Sequence, residues 1–273
     1  MKKLAIILLA AAFVMLPSCK NQKKAVAEDP VSKEVSQKEQ YITGELKLNA
    51  EALAESVSKL RPAGFVRKVN DSEYALSEKE KMVKPEYLFK PGNVDNFVTL
   101  SQKYRALGVL FVDRAIASYY DMPVTEYNAA ISKLLAEIND PVLNDYAKAQ
   151  KGKDSQAITA FGSIYDAEVE ANRVNYFWEC TVGMLVEQIF ICTQNIEKFM
   201  PMFDDQSASD VTYNFILVHE NLRQLVEFYP ELQSLNEVLE PLYVINAISV
   251  DQLRSQLTEL KGEIGVARAV MLK

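Results

Sequence analysis

From Asp154 to Met200 the chain contains no proline and only two glycines, Gly162 and Gly183. A stretch of that length without breakers, with apolar residues recurring every three or four positions, has one regular solution, the α-helix. At about 1.5 Å per residue it predicts one very long central helix of roughly 70 Å, with Gly183 as the place for a kink. The rest of the body follows the same period. From Tyr41 onward there is no Asn-Gly, Asp-Gly or Gly-Gly pair and no sustained alternation of period two, so hairpin signals are missing. The expected fold is all-α, an elongated multi-helix bundle of six to nine helices.

Punctuation residues set the expected boundaries. Asn49 caps a helix to about Leu60, and Asp71 or Ser72 starts another to about Lys84. Pro85–Gly92 reads as an ordered turn. A long helix is expected at about Val94–Tyr120, one at Thr125–Asn139, and one from Pro141 capped by Asp140. Further helices are expected at Ser207–Tyr229, from Pro230 with a bend at Pro241, and from Ser249, which forms a capping box with Gln252. The last helix carries a seam of Leu253, Leu257, Leu260, Ile264, Ala267 and Met271, the four-three alternation of a bundle.

Composition excludes several classes. The formal net charge is −7, which disfavours a general nucleic-acid binder. One His and three Cys leave no common zinc, haem-attachment or disulfide framework, and no metal or cofactor is implied. No Gly-rich phosphate loop, nucleophile elbow or zinc-protease motif occurs.

The N-terminus reads as an address. Lys2 and Lys3 precede an apolar run, Leu4–Leu16, too short for a bilayer, which needs about 20 residues. Leu16-Pro17-Ser18-Cys19 resembles the lipobox of bacterial lipoproteins. The resemblance implies a signal peptide over 1–18, cut before Cys19, with Cys19 diacylated and its amine often acylated as well. Fatty-acyl chains such as palmitate would then hold the protein on a membrane of the cell envelope. By the same resemblance Lys20, where some bacteria use Asp for inner-membrane retention, favours the outer membrane in a cell that has one. Cleavage would remove two lysines and leave 28 basic and 37 acidic residues, a charge of −9, so the lipid and not the charge would anchor it. Residues 19–40 are then the lipidated Cys and a polar tether, and 41–273 a single helical domain.

Candidate site residues are few. Glu168, Asn172, Asn175 and Glu179, spaced four, three and four, fall on the core side of the long helix with Phe161, Ile164, Tyr165, Ala171 and Tyr176, whereas Arg173 falls on the solvated side. Polar groups on a core face need partners. The four are therefore either a ligand-binding polar cavity or a hydrogen-bond network that fixes register. His219 lies at the edge of an apolar face and has no Glu-x-x-His partner pattern, which excludes a diiron bundle. Cys180 and Cys192, about 18 Å apart on one helix, are expected as free buried thiols. Asp204, Asp205, Ser207, Ser209 and Asp210 lack the Gly and Glu of a calcium loop and read as an acidic helix start. The Tyr87-Leu88-Phe89 turn is either a partner-binding knob or a plug for the bundle end.

Three functional readings follow. The first is a membrane-anchored, non-enzymatic binding or scaffolding lipoprotein with an envelope protein as partner. The second is a small-ligand binder using the polar stripe. The third is a carboxylate-dependent envelope enzyme, which needs a carboxyl pair that Glu168 and Glu179, about 16 Å of helix rise apart, do not supply.

Overall fold

The computed structural model describes residues 64–69, 71–143 and 161–273, all within one compact unit, Ile42–Lys273. The expected signal peptide, tether and Asn49–Leu60 helix lie outside the described residues, as do 154–160. Among the described residues there is no strand, and the all-α expectation holds. Eleven α-helices lie within the described residues. They are α1 Gly64–Val69, α2 Glu78–Lys81, α3 Leu100–Tyr119, α4 Thr125–Ile138, α5 Phe161–Glu170, α6 Val174–Gln194, α7 Ile196–Phe199, α8 Asp205–Leu225, α9 Gln233–Leu239, α10 Val250–Glu259 and α11 Lys261–Met271. Seven of these run ten residues or more, within the expected six to nine, and the other four are pieces of one or two turns.

The chain stops its helices in an unusual way, because glycine is scarce. Among the described residues three other than glycine take the left-handed conformation, Asp121 (φ 50°), Asn139 (φ 49°) and Asn172 (φ 56°), and each closes a helix. Asn and Asp tolerate this region because their short side chains bond locally. At Asn172 the Arg173 N–H donates to the Glu168 carbonyl at 2.8 Å and the Asn172 N–H to the Val169 carbonyl at 3.2 Å, a Schellman pattern. The single helix expected over 154–200 is therefore corrected. It breaks at Asn172, and the central helix α6 begins afterwards and is about 31 Å long. It also ends before Pro201, at Gln194, where Asn195 turns to φ −147° and α7 starts.

Helix α6 runs unbroken through Gly183. Helices α3 and α6 run in the same direction and cross on a reciprocal pair of glycines. A methyl group at Gly108 would lie 2.2 Å from the Cys180 carbonyl oxygen, and one at Gly183 would lie 2.4 Å from the Arg105 carbonyl oxygen. The missing side chains let the two backbones meet, and Leu107, Val109, Leu110, Val182, Val186 and Ile191 bury fully or almost fully around them. Burial of this kind is the main source of the fold's stability.

Other boundaries shift for local reasons. Helix α3 starts at Leu100 instead of Val94 because Thr99 and Gln102 form a capping box: Gln102 N–H donates to Thr99 Oγ1 (3.2 Å) and Thr99 N–H to Gln102 Oε1 (2.8 Å). Residues 91–96 form a 3₁₀ segment ahead of it. The helix expected to start at Asp71 or Ser72 splits into a 3₁₀ turn and α2, which Ser77 and Glu80 cap reciprocally. The last helix divides at Leu260, yet all six seam residues stay on the core side, Leu253, Leu257, Ile264, Ala267 and Met271 buried and Leu260 half-buried against them.

Candidate functional site

The break at Asn172 decides the fate of the polar stripe. Its four members do not share one helix. Glu168 sits in the last turn of α5, Asn172 is an exposed turn residue, and Asn175 and Glu179 lie on α6. Glu168, Asn175 and Glu179 are buried, and each faces a different partner. Glu179 Oε2 is 3.5 Å from Arg105 Nε of α3. Asn175 Nδ2 donates to Glu231 Oε1 at 3.2 Å. Glu168 joins a cluster around Arg173. Ala171, expected in the core, is exposed for the same reason.

The Arg173 cluster gathers the N-terminal ends of the helices. Tyr104, in the first turns of α3, stacks on Tyr176 of α6 with ring centroids 4.7 Å apart. Arg173 lies over both rings, 5.9 Å and 5.5 Å from the centroids. Its Nη2 donates to Tyr104 Oη at 2.7 Å, its Nε lies 3.1 Å from Asp140 Oδ2, and Glu168 Oε2 is 4.0 Å away. The Tyr104 hydroxyl donates to Asp140 Oδ2. The other oxygen of Asp140 accepts from Val142 N–H (2.8 Å) and Leu143 N–H (3.3 Å), so Asp140 caps the helical turn at 141–143, as its sequence position predicts. Two carboxyls thus face one guanidinium. Burial first, and then the adjacent Asp140 carboxylate, push the Glu168 carboxyl up to about 8, against the pull of Arg173. Glu179 is likewise pushed up to about 7, chiefly by burial.

A second cluster of the same composition lies at the other end of the α3–α6 crossing. Asp113 of α3 and Glu187 of α6 are fully buried. Arg268 of α11 grips Glu187 with two parallel bonds, Nε to Oε2 at 2.6 Å and Nη2 to Oε1 at 2.8 Å. It also donates to the Tyr87 carbonyl at 3.2 Å and lies 4.2 Å over the Phe190 ring. Asp113 Oδ2 accepts from Phe89 N–H at 2.8 Å. Burial, then the charge of Glu187, raises the Asp113 carboxyl far above the ordinary range. These bonds seat the Tyr87-Leu88-Phe89 turn against the bundle: Leu88 is buried, and the Tyr127 hydroxyl donates to the Phe89 carbonyl at 3.3 Å. The segment is a plug.

The remaining sequence candidates take structural places. Asp204 caps α8, accepting from Ser207 N–H at 2.7 Å and from the Ser207 hydroxyl at 2.6 Å, as an acidic helix start should. His219 is exposed and stacked on Tyr243, with centroids 4.1 Å apart. Cys180 and Cys192 are free thiols on α6; Cys192 is buried and Cys180 half-buried, and burial pushes the Cys180 thiol up to about 12. Among the described residues, no group of three or more His, Cys, Asp or Glu is placed to hold a metal ion. No helix there is long and apolar enough to cross a membrane.

Asp113, Asp140, Tyr104, Glu187 and Arg268 were absent from the sequence candidates, and Arg173 was assigned to the solvated side. The signal for two of them was available. Asp113, followed by Arg114, interrupts the apolar run Gly108–Ile116, and Glu187, followed by Gln188, interrupts Gly183–Ile191, so each is the one acid in its run. Such an acid faces a buried cation or carries a proton.

No protein family, no curated protein and no solved structure matches this chain.

Proposed function

We propose that this protein is a lipid-anchored binding or scaffolding module of the bacterial cell envelope and has no enzymatic activity of its own. The observation that carries the reading is the tetrad Leu16-Pro17-Ser18-Cys19 behind a basic start and a short apolar run. Two or more acyl chains on Cys19 give stable anchoring, which one chain does not. The reading also draws support from the domain. Its buried carboxyls each lie against an arginine, a tyrosine or a backbone N–H, although Glu168 Oε2, Glu179 Oε2 and Asp113 Oδ1 make no hydrogen bond, and this pairing is suited to holding helices in register. Lys20, directly after the lipidated residue, directs the protein to the outer membrane in a cell that has one.

The test has two parts. Cells grown with an alkyne analogue of palmitate should label the protein, and its intact mass should be that of a chain starting at Cys19 plus the acyl groups. Cys19→Ala should abolish the label. An unlabelled wild-type chain, or one that keeps residues 1–18, refutes the anchor. Chemical crosslinking on intact cells then addresses the scaffold: a stoichiometric envelope partner is expected, and its absence counts against that role.

A further inference from the structure

A pocket of about 250 Å³ opens beside α1, between α6, α8 and α10 and the 3₁₀ segment 200–202. It is separate from both arginine clusters and shares no residue with the polar stripe. Its floor is buried and rich in rings and sulfur. Phe65 and Phe215 are almost fully covered, Phe65 and Phe203 stack at 6.0 Å with planes 16° apart, Met202 and Cys192 also line the pocket, and its buried polar side chains are the amides Gln188 and Asn214. Thioethers and thiols favour the edges of aromatic rings. The mouth is polar. Lys68, Ser207 and Asp210 are half-buried there, and Asp204 lies 3.8 Å from the Lys68 ammonium.

Size and charge narrow the ligand. A cavity of about 150 Å³ accepts benzene, so this one takes a ring system of about ten heavy atoms. A carboxylate or phosphate would meet Asp210 and a Lys68 ammonium already paired with Asp204, and an ammonium would meet Lys68. An ion deeper inside would lose its hydration against walls whose buried polar side chains are the neutral amides Gln188 and Asn214. We propose that this pocket binds a planar aromatic amphiphile, of the size of a bicyclic phenol, with its rings among Phe65, Phe203 and Phe215 and an uncharged hydrogen-bonding group toward Lys68 and Ser207. The proposal deepens the binding-module reading and rests on it. It assigns that module a ligand class and a place distant from the sequence-predicted stripe.

The experiment is calorimetric titration of the purified full chain with 2-naphthol, with a matched detergent blank subtracted and sodium dodecanoate run in parallel. The expected result is saturable one-to-one binding, with a Kd on the order of 10–100 µM for so small a ligand. Two pocket-filling variants serve as controls. Val211→Trp grows from a half-buried wall position on α8, and Ser207→Phe grows from the mouth. Each should weaken 2-naphthol at least tenfold while unfolding cooperatively. If one fails to fold, the other decides. The proposal falls if the unsubstituted chain shows no saturable binding, or if the folded variants bind as tightly as it does. It also falls if dodecanoate binds more tightly than 2-naphthol, which would make this a site for an anionic acyl chain. The lipid mass on Cys19 is read separately, so failure here leaves the anchor standing.

Discussion

The clusters around Arg173 and Arg268 contain the same charged groups, one guanidinium and two carboxyls, set at opposite ends of one helix crossing. They differ in what they join. Glu168 and Arg173 flank the helix break at Asn172, Asp140 and Tyr104 join them from earlier in the chain, and the arginine side chain keeps 24% of its surface exposed. Arg268 reaches from the last helix to Glu187 and, through Tyr87 and Asp113, to the turn that plugs the bundle, and it keeps 14%. The first cluster fixes the corner at the helix break. The second spans more of the chain, 81 residues to Glu187 and 181 to Tyr87, so its loss should be felt by the whole fold. In each, one acid is held toward its protonated form, which lets a single arginine balance the site without a second buried cation.

Breaking the far-reaching cluster should have the largest effect. Arg268→Met leaves Glu187 fully buried without its cation and should destabilise the domain by about 3–5 kcal/mol in urea unfolding. Adding Glu187→Gln should recover a good part of that loss, because the orphaned charge is then gone. A single variant within 1 kcal/mol of wild type would show that the clamp is not what holds the last helix.

The crossing between the clusters comes next. Gly183→Ala forces a methyl group toward the Arg105 backbone, where no flexible side chain can yield, and should cost about 3 kcal/mol. If instead the site behaves as an ordinary helix interior, the same change is stabilising by up to about 1 kcal/mol.

Arg173→Met should cost less than Arg268→Met, about 2 kcal/mol, because water already reaches the arginine. Equal losses at the two sites would remove the distinction drawn here between a local corner and a long-range clamp.

The Arg173 cluster should also show in pH dependence. The folded-state values of Glu168, about 8, and Glu179, about 7, lie above the ordinary 4.5 of a glutamate. The folded chain thus binds protons more tightly than the unfolded one. The contribution to stability is complete below about pH 4.5 and is lost as pH rises through 7 and 8. Stability should therefore fall between pH 5 and pH 9, by an amount on the order of 1–2 kcal/mol and with a matching drop in melting temperature. Glu168→Gln should flatten that slope, and an unchanged slope would place the titration elsewhere.

The smallest effect concerns the corner itself. Asn172 holds φ 56°, so Asn172→Gly should be nearly neutral, and Asn172→Val should cost about 1 kcal/mol in thermal unfolding. A neutral valine would mean that the break is imposed by its surroundings alone.

How much of this was legible beforehand is seen residue by residue. The four-three seam of the last two helices was readable because a solvent-facing helix must place its apolar residues on one stripe, and the break at Leu260 leaves that stripe intact. The caps at Asp140, Ser249 and the Asp204–Ser207 start were readable because a capping bond joins residues three apart or fewer. Asn172 was misread as a stripe member because the same Asn that suits a core network also suits a left-handed helix end, and periodicity does not choose between them. Once the helix turns there, every wheel angle before it loses its meaning for residues after it. That is why Arg173 moved from the solvated side to the centre of a cluster.

The sequence by itself determined the class of fold, most helix starts and the free state of the two thiols, because each depends on chemistry within a few residues. Only the tertiary structure decided which buried acid meets which arginine, why Gly108 and Gly183 are glycines, and where a pocket opens beside α1 between α6, α8 and α10. Those features join residues as far apart as Tyr87 and Arg268. No local pattern encodes such a pairing, because it arises only when packed helices bring the partners within reach.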